Sequence, residues 1–423
     1  MWLLDKMLRA LVKDGQLQVI DHDGTEYRYG DLAADPVTIR FTDKGAALHV
    51  AKDPRVGAGE AYMDGRMVIE PPHDIRDMVL LVMGNANRGK GLDAPSPLRR
   101  SFDWMFAKVD QINLRAKASS NVVHHYDLTR PFYELFLDED RQYTMAYFKD
   151  PANTLERAQL DKKALIAAKL RLKPGMKVLD IGCGWGGLGL YLNRHFGVEV
   201  LGVSLAPDQI TFANERAEAA GVAGQVKFKL TDYRDVEGQF DRITSVGMIE
   251  HIGAPHFKEY FAKTNALLAD DGIMLTHTIG RTDGPGTTDK WTRKYVFPGG
   301  YIPALSELVT ACEQTGWEVG DIEVLRYHYA HTLAEWYRRT TLHEAEITAL
   351  YDARLFRMWQ FYLAGAEQSF ASGGMVNFHI QSVKQRSALP MTRDYIGAEA
   401  ARLSALDEAP QWHLETKAAE QSC

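Results

Sequence analysis

The 423-residue chain is 45% hydrophobic and 25% charged, with a net charge of −7. Its length exceeds the usual single-domain size, so two domains are expected, and its acidic balance excludes nucleic acid as a main partner. Cys183, Cys312 and Cys423 are scattered without metal-ligand spacing, so neither a metal site nor a disulfide framework is expected, and the chain reads as cytoplasmic. The longest apolar runs fall short of the roughly 20 residues a membrane span needs. The opening Met1-Trp2-Leu3-Leu4-Asp5-Lys6 is unlike a secretory signal.

In chain order, residues 1–85 read as a small α+β domain. A first helix groups Trp2, Leu3, Leu4, Met7, Leu8, Leu11 and Val12 on one side. Alternating strands at Leu17–Ile20 and Tyr27–Tyr29 flank the turn signal Asp23-Gly24. The segment from Gly57 to Gly65 reads as a glycine-rich loop. Residues 86–120 read as a linker followed by a basic amphipathic helix. Arg88, Lys90, Arg99, Arg100, Lys108, Arg115 and Lys117 are interleaved there with Phe102, Met105, Phe106, Val109 and Ile112. Such a helix can lie on an anionic bilayer. The plainer reading, an interdomain helix packed on the core, is slightly favoured by the sequence alone.

Residues 121–400 read as the larger domain, with 401–423 as a tail. From Lys173 onward strands and helices alternate. Val178–Ile181, Val198–Val203, Val226–Leu230, Phe240–Val246 and Gly272–Thr276 read as strands. Leu188–Phe196, Pro207–Ala220 and about 256–268 read as helices. This alternation predicts a doubly wound, largely parallel sheet, with the ligand at the carboxyl ends of the strands.

Asp180-Ile181-Gly182-Cys183-Gly184-Trp185-Gly186-Gly187 is the sharpest motif. Its glycines let the backbone turn and approach a cofactor closely. Gly182, Gly184 and Gly187 also satisfy the dinucleotide pattern. That site, however, wants an acid about 20 positions on, where this chain has Gly202-Val203-Ser204-Leu205. With Asp180 ending the strand before the loop, S-adenosylmethionine is the expected cofactor. Upstream, the aromatic faces in Gln142-Tyr143-Thr144-Met145-Ala146-Tyr147-Phe148 could stabilise its sulfonium by cation–π attraction, although core packing is the favoured reading of the run by itself. Glu250-His251 and His277 follow adjacent strands and form a plausible acid–base or anion-binding group. Tyr327-His328-Tyr329-Ala330-His331 is dense in titratable aromatics, which a buried, hydrogen-bonded tyrosine would also explain.

In order along the chain, Gly59–Gly65, the glycine loop with Trp185, Ser245–Gly253, His277–Gly280, Tyr295–Gly300 and His328–Leu333 together resemble the cyclopropane-fatty-acyl-phospholipid synthases and the related mycolic-acid methyltransferases. The resemblance covers nearly the whole chain. It implies a class I S-adenosylmethionine-dependent methyltransferase fold with a smaller N-terminal α+β domain for lipid binding or dimerisation. It also implies peripheral action on unsaturated phospholipid acyl chains at the inner face of the membrane. In that chemistry the alkene attacks the sulfonium methyl, becomes a carbocation, and closes to a ring when the transferred methyl loses a proton to bound bicarbonate. By match, Glu250, His277, Tyr329 and the backbone of Ile279 hold that anion. Cofactor contacts fall on Tyr143, Thr144, Asp180, Gly182, Gly184, Trp185, Gly186, Ser204, Leu205, Gln209, Tyr233 and Arg234.

Two positions depart from the family. Met145 stands where a cysteine is usual, so only its backbone can serve the anion. Ala366 stands where many members have a second cysteine. A cysteine nucleophile is excluded at both. Methylation without ring closure and a non-catalytic lipid-binding role stay open beside cyclopropane formation.

Overall fold

The computed structural model describes residues 1–88 and 128–408, so most of the basic stretch and residues 409–423 lie outside the described residues. Two units emerge. One comprises the described part of Met1–Phe106 with Thr287–Pro298 and Ala330–Gly374. The other comprises the described parts of Ala107–Gly286 and Met375–Cys423 with Gly299–Tyr329. The division is not contiguous: two later segments of the expected 121–400 domain group with the N-terminal residues.

The first unit holds strands β1 (Gln16–Ile20), β2 (Glu26–Gly30), β3 (Pro36–Phe41) and β4 (Met67–Ile69), in the order β2-β1-β3-β4. β1 and β2 pair antiparallel around Asp23-Gly24, as the turn signal predicts. The helix Trp2–Leu11 buries Leu4 and Leu8 but leaves Trp2 78% and Leu3 39% exposed. Its inward stripe follows the i, i+4 spacing of Leu4, Leu8 and Val12, narrower than the seven-residue face expected.

The segment Gly57–Gly65 corrects the sequence reading. Most of it lies in a helix, Pro54–Met63, not a loop. Its glycines serve close packing. A Cβ on Gly57 would stand 2.6 Å from the carbonyl oxygen of His49, and one on Gly59 would meet the rings of Trp291 and Phe361. Glu60, on the same helix, accepts hydrogen bonds from Lys294 Nζ and Tyr295 Oη.

The second unit is built on β5 (Lys177–Ile181), β6 (Glu199–Ser204), β7 (Val226–Leu230), β8 (Phe240–Val246), β9 (Leu268–Arg281), β10 (Glu318–Leu325) and β11 (Met375–Val383). The order is β10-β11-β9-β8-β5-β6-β7. β5 to β9 run parallel; β10 and β11, unread in the sequence, close one edge antiparallel. The expected doubly wound, largely parallel sheet is present. Its strand order reverses between β5 and β8, where such sheets open a ligand crevice.

Strand alternation assigns each residue to a face. Leu179 and Ile181 of β5 join a core with Phe257, Phe261, Leu308 and Phe378. Val178 joins the opposite core with Leu188, Leu192, Ile166 and Leu170. Asp180 therefore lies on the face covered by the helix Leu155–Leu170. By the same parity His277 shares the face of Leu275, and Asn377, His379 and Gln381 lie opposite Val376, Phe378 and Ile380. The helix Asp394–Asp407 crosses the boundary expected at 400. It packs on Leu155–Leu170 and buries Ile396, Ala400 and Leu403. No described helix is long and apolar enough to cross a membrane.

The Gly57 contact yields a direct expectation. Gly57→Val overpacks a helix contact that has no slack, so stability should fall by about 1–3 kcal/mol. A lower midpoint in thermal denaturation, with wild-type circular dichroism below it, is the expected outcome.

Candidate active site

Asp180, one residue before the end of β5, lies in register between Gly202 of β6 and Thr244 of β8. The loop after it carries φ of +82° at Gly182 and +52° at Gly184, left-handed values that glycine adopts without strain. A Cβ on Gly184 would meet no protein atom within 4 Å, so this backbone faces open space. Gly186 does a different job: a Cβ there would stand 2.8 Å from Ala213 and from Phe228. Within one motif, Gly184 borders open space and Gly186 lets the helix Gly187–Phe196 pack.

Asp180 is buried, and its Oδ2 has no hydrogen-bond partner. Burial pushes its carboxyl up to about 7, against the pull of the Lys162 ammonium. Lys162 is itself buried on the helix Leu155–Leu170. Its Nζ donates to Gln142 Oε1 and Thr144 Oγ1, each at 2.8 Å, and burial pushes it down to about 7. Gln159 Nε2 donates to the carbonyl oxygens of Gln142 and Thr144 at 3.2 and 3.0 Å. The aromatic run is thus fastened to the same helix that covers Asp180.

Tyr143 joins the glycine loop through Tyr133, whose ring stands 5.4 Å from Tyr143 and 6.0 Å from Trp185. Trp185 is buried in this cluster and its Nε1 has no partner. Met145 is fully buried. Ser204 ends β6, and its Oγ accepts the Ala206 N–H at 3.2 Å; Leu205 and Gln209 are half-buried just beyond. Tyr233 packs edge-on to Tyr260 in the core, while Arg234 is paired with Asp232 at 2.6 Å.

Glu250 follows β8 in a short 3₁₀ turn. It is buried; its Oε1 accepts the Ile279 N–H, and its Oε2 has no partner. Burial pushes its carboxyl up to about 7. The Ile279 N–H, expected on a bound anion, is donated to Glu250 in this structure. His277, two residues earlier on β9, is level with Val246 at the end of β8. It is buried and pushed down to about 3, first by burial and then by the Lys162 and Lys169 ammonium groups, so its ring is neutral. Tyr329 is buried at the start of the helix His328–Leu342.

Asp180, Glu250 and His277 thus sit at the carboxyl edge of three adjacent strands. The sequence reading missed Lys162, Lys169, Asn377 and His379, which lie about His277, Lys162 also facing Asp180. The polar residues at 377, 379 and 381 alternate with apolar ones and mimic a solvated strand face, yet all three are buried. That these positions are polar was visible; that a helix covers them was not.

The buried, unpartnered Asp180 Oδ2 and the open space over Gly184 fit the amino-acid end of S-adenosylmethionine. Residues 114–380 match the mycolic acid cyclopropane synthetase family, and residues 3–89 match a domain of unknown function. The chain belongs to the cyclopropane synthetase family. It is 37% identical over 390 residues to a probable fatty acid methyltransferase of Pseudomonas putida, covering 88% of this chain and 94% of that one. It is also 37% identical over 337 residues to the cyclopropane-fatty-acyl-phospholipid synthase of Escherichia coli, covering 79% and 85%. Among solved structures, the mycolic acid cyclopropane synthase CmaA1 complexed with SAH and CTAB superposes with a TM-score of 0.60 at 29% identity, covering 64% of this chain and 99% of that one. The protein is an S-adenosylmethionine-dependent methyltransferase.

Two expectations follow. Gly184→Val puts a β-branched side chain into the open space at a left-handed φ, and Asp180→Ala removes the unpartnered carboxyl. Both should weaken S-adenosylmethionine binding about tenfold or more by calorimetry, a loss of at least about 1.4 kcal/mol. Glu250 gives a pH signature. Its value in the folded chain, about 7, exceeds the ordinary glutamate value of 4.5. The folded chain therefore binds more protons than the unfolded chain between these values, and stability falls as pH rises through the window. Glu250→Gln should raise the melting temperature at pH 8, by up to about 3 kcal/mol of stability, and lose that advantage near pH 4.

Proposed function

We propose that this methyltransferase acts on lipid acyl chains, and that it adds the methyl carbon to the double bond of an unsaturated phospholipid chain to close a cyclopropane ring. S-adenosylmethionine supplies an electrophilic methyl group. The attacking alkene becomes a carbocation, which must be shielded from water and must lose a proton for the ring to close. The observation that carries the reading is the dry carboxyl of Glu250, with Oε2 unpartnered and Oε1 pinned to the Ile279 N–H beside neutral His277. Positive charge developing beside such a carboxyl is stabilised far more than in water.

The same groups fit a bound bicarbonate. A carboxyl titrating near 7 keeps a proton for part of the physiological range and can donate it from Oε2 to an anion's oxygen. Glu250, His277 and Tyr329 would hold that anion, which would supply a base for the departing proton. Asp180, Thr144, Gly182, Gly184 and Ser204 would hold the cofactor, and Tyr143 its sulfonium end. Docking on a membrane surface belongs to the same reading, because the substrate resides there.

Proton NMR of lipids from a host expressing the chain tests the product. Upfield cyclopropane resonances are the expected outcome. Methyl doublets or exocyclic methylene signals in their place would establish methylation without ring closure. Mass alone does not separate a ring from an exocyclic methylene or a methyl-branched alkene, because each adds one CH₂. No change in the lipids, with S-adenosylmethionine still bound, would favour a non-catalytic lipid-binding role.

A further inference from the structure

Lys162 makes contacts that fastening a loop does not require. Gln159, three residues earlier on the helix Leu155–Leu170, already holds the segment Gln142–Thr144 by its backbone, donating to the carbonyl oxygens of both residues. Lys162 reaches only their side chains, Gln142 Oε1 and Thr144 Oγ1, each at 2.8 Å. Gln142 Nε2 donates to Asp140, which fixes the amide so that its oxygen faces the lysine. Lys162 is 1% exposed and faces Asp138, Asp140 and Asp180, yet it forms no ion pair with any of them. A neutral side chain would join these groups at a far smaller desolvation cost than a buried ammonium.

The charge sets a direction at Thr144. An ammonium has hydrogens to give and no lone pair. Thr144 Oγ1 therefore accepts from it, and its own hydrogen is left to donate elsewhere. A neutral amine could accept instead and turn the hydroxyl inward. Neither the hydroxyl hydrogen nor the Thr144 N–H has an acceptor among the described residues. The rotamer is held from the other side too. A Cβ on Gly247, the residue after β8, would stand 2.9 Å from Thr144 Cγ2, so the methyl lies against the carboxyl end of that strand. A Cβ on Gly182 would meet the Met248 side chain at 3.5 Å, which puts the same turn beside the glycine loop. Thr144 thus brings two unused donors to the crevice in which Asp180 Oδ2 has no partner.

We propose that Lys162 is a positioning residue for the cofactor: by donating to Thr144 Oγ1 it turns the Thr144 hydroxyl outward, to the carboxylate of S-adenosylmethionine. The proposal rests on the reading above in which Asp180 and Thr144 hold the cofactor. The ammonium and carboxylate of an amino acid share one carbon, so a site that takes the first at Asp180 stands next to the second. A carboxylate offers two accepting oxygens, and Thr144 offers two donors. The Lys162 charge, sealed from water, polarises the hydroxyl and acts on that hydrogen bond with little screening. The arriving carboxylate in turn favours the ammonium over the amine. The consequence is selectivity: Lys162 and Thr144 answer to the carboxylate of the cofactor, and Asp180 to its ammonium.

The test is calorimetric binding of S-adenosylmethionine and of decarboxylated S-adenosylmethionine to the full chain, with thermal melting to identify folded variants. The parent should bind the decarboxylated cofactor about tenfold or more weakly than the complete one. Lys162→Met and Thr144→Val should each lose about tenfold for the complete cofactor and change by less than about twofold for the decarboxylated one. The double variant should be no worse than the weaker single by more than about twofold, because the two side chains act through one hydrogen bond. Thr144→Ser, which keeps the hydroxyl, should keep the parental preference. Asp180→Ala should weaken both cofactors alike. Lys162→Gln, uncharged and one bond shorter, repeats the lysine arm if the methionine variant does not fold, and Thr144→Val on its half-buried loop removes the hydroxyl without touching the helix.

A parent without preference, or Lys162 and Thr144 variants that bind the complete cofactor as the parent does, overturns the proposal. Variants that lose both cofactors alike overturn it as well, and leave Lys162 as a brace. Either result beside a weakened Asp180→Ala overturns the proposal alone. Parental affinity of Asp180→Ala for both cofactors overturns the cofactor placement on which it rests.

Discussion

Asp180 and Glu250 are carboxyl groups placed where water does not reach, each with one oxygen left unpartnered. Burying such groups opposes folding, and the surrounding structure must hold them there by other means. It does so through the sheet. Asp180 is fixed by backbone pairing on both sides, and Glu250 by the backbone of the neighbouring strand. Strand pairing, not side-chain partners, positions both groups, which leaves one oxygen of each without a hydrogen-bond partner. The crevice at the reversal of strand order is where two such strand ends can face one opening.

The helix Leu155–Leu170 is the second half of that arrangement. It places Lys162, Lys163 and Lys169 in the interior, each with a different partner. Lys162 braces the Gln142–Thr144 segment. Lys163 joins Asp140, which Arg216 also binds and which these cations hold well below the usual carboxylate range. Lys169 meets His379 and Glu323. Three cations on one covering helix offset the acids that the sheet edge and its loops bring into the same dry region, and fasten those loops to the sheet. Burial first, and then Lys162 and Lys169, keep His277 neutral, so an imidazole rather than an imidazolium stands at the edge.

Much of this was legible in the sequence because parallel strands and glycine turns have strong local signatures. Val178–Ile181 followed by Gly182–Gly187 located the β5 edge, and the strand runs before Glu250 and through His277 located its neighbours. The reading failed where a local pattern has two tertiary outcomes. Glycines at 57 and 59 suggest a loop in isolation, and become helix-packing positions only because His49, Trp291 and Phe361 press against them. Asn377, His379 and Gln381 alternate as a solvated strand would, and a covering helix reverses the meaning of the alternation. Lysines at 162, 163 and 169 look like a wet helix face for the same reason. β10 and β11 went unread because an antiparallel edge far along the chain leaves no βα rhythm to follow.

The first unit draws on three separate stretches of chain, with consequences for its assembly during synthesis. Arg76 meets its carboxylate partner at Glu367, Tyr62 its amide partner at Gln360, and Tyr337 its acceptor at Asp74. When a ribosome has made the first 88 residues, the β1–β4 strands can pair, but half of each of these polar contacts does not yet exist. Strands β5 to β9 of the second unit emerge before Thr287–Pro298 and Ala330–Gly374, the segments that complete the first unit. A fragment ending at residue 88 would leave Arg76, Tyr62 and Asp74 without these partners and Gly59 without Trp291 and Phe361, so its polar groups and its helix packing are completed only by long-range closure.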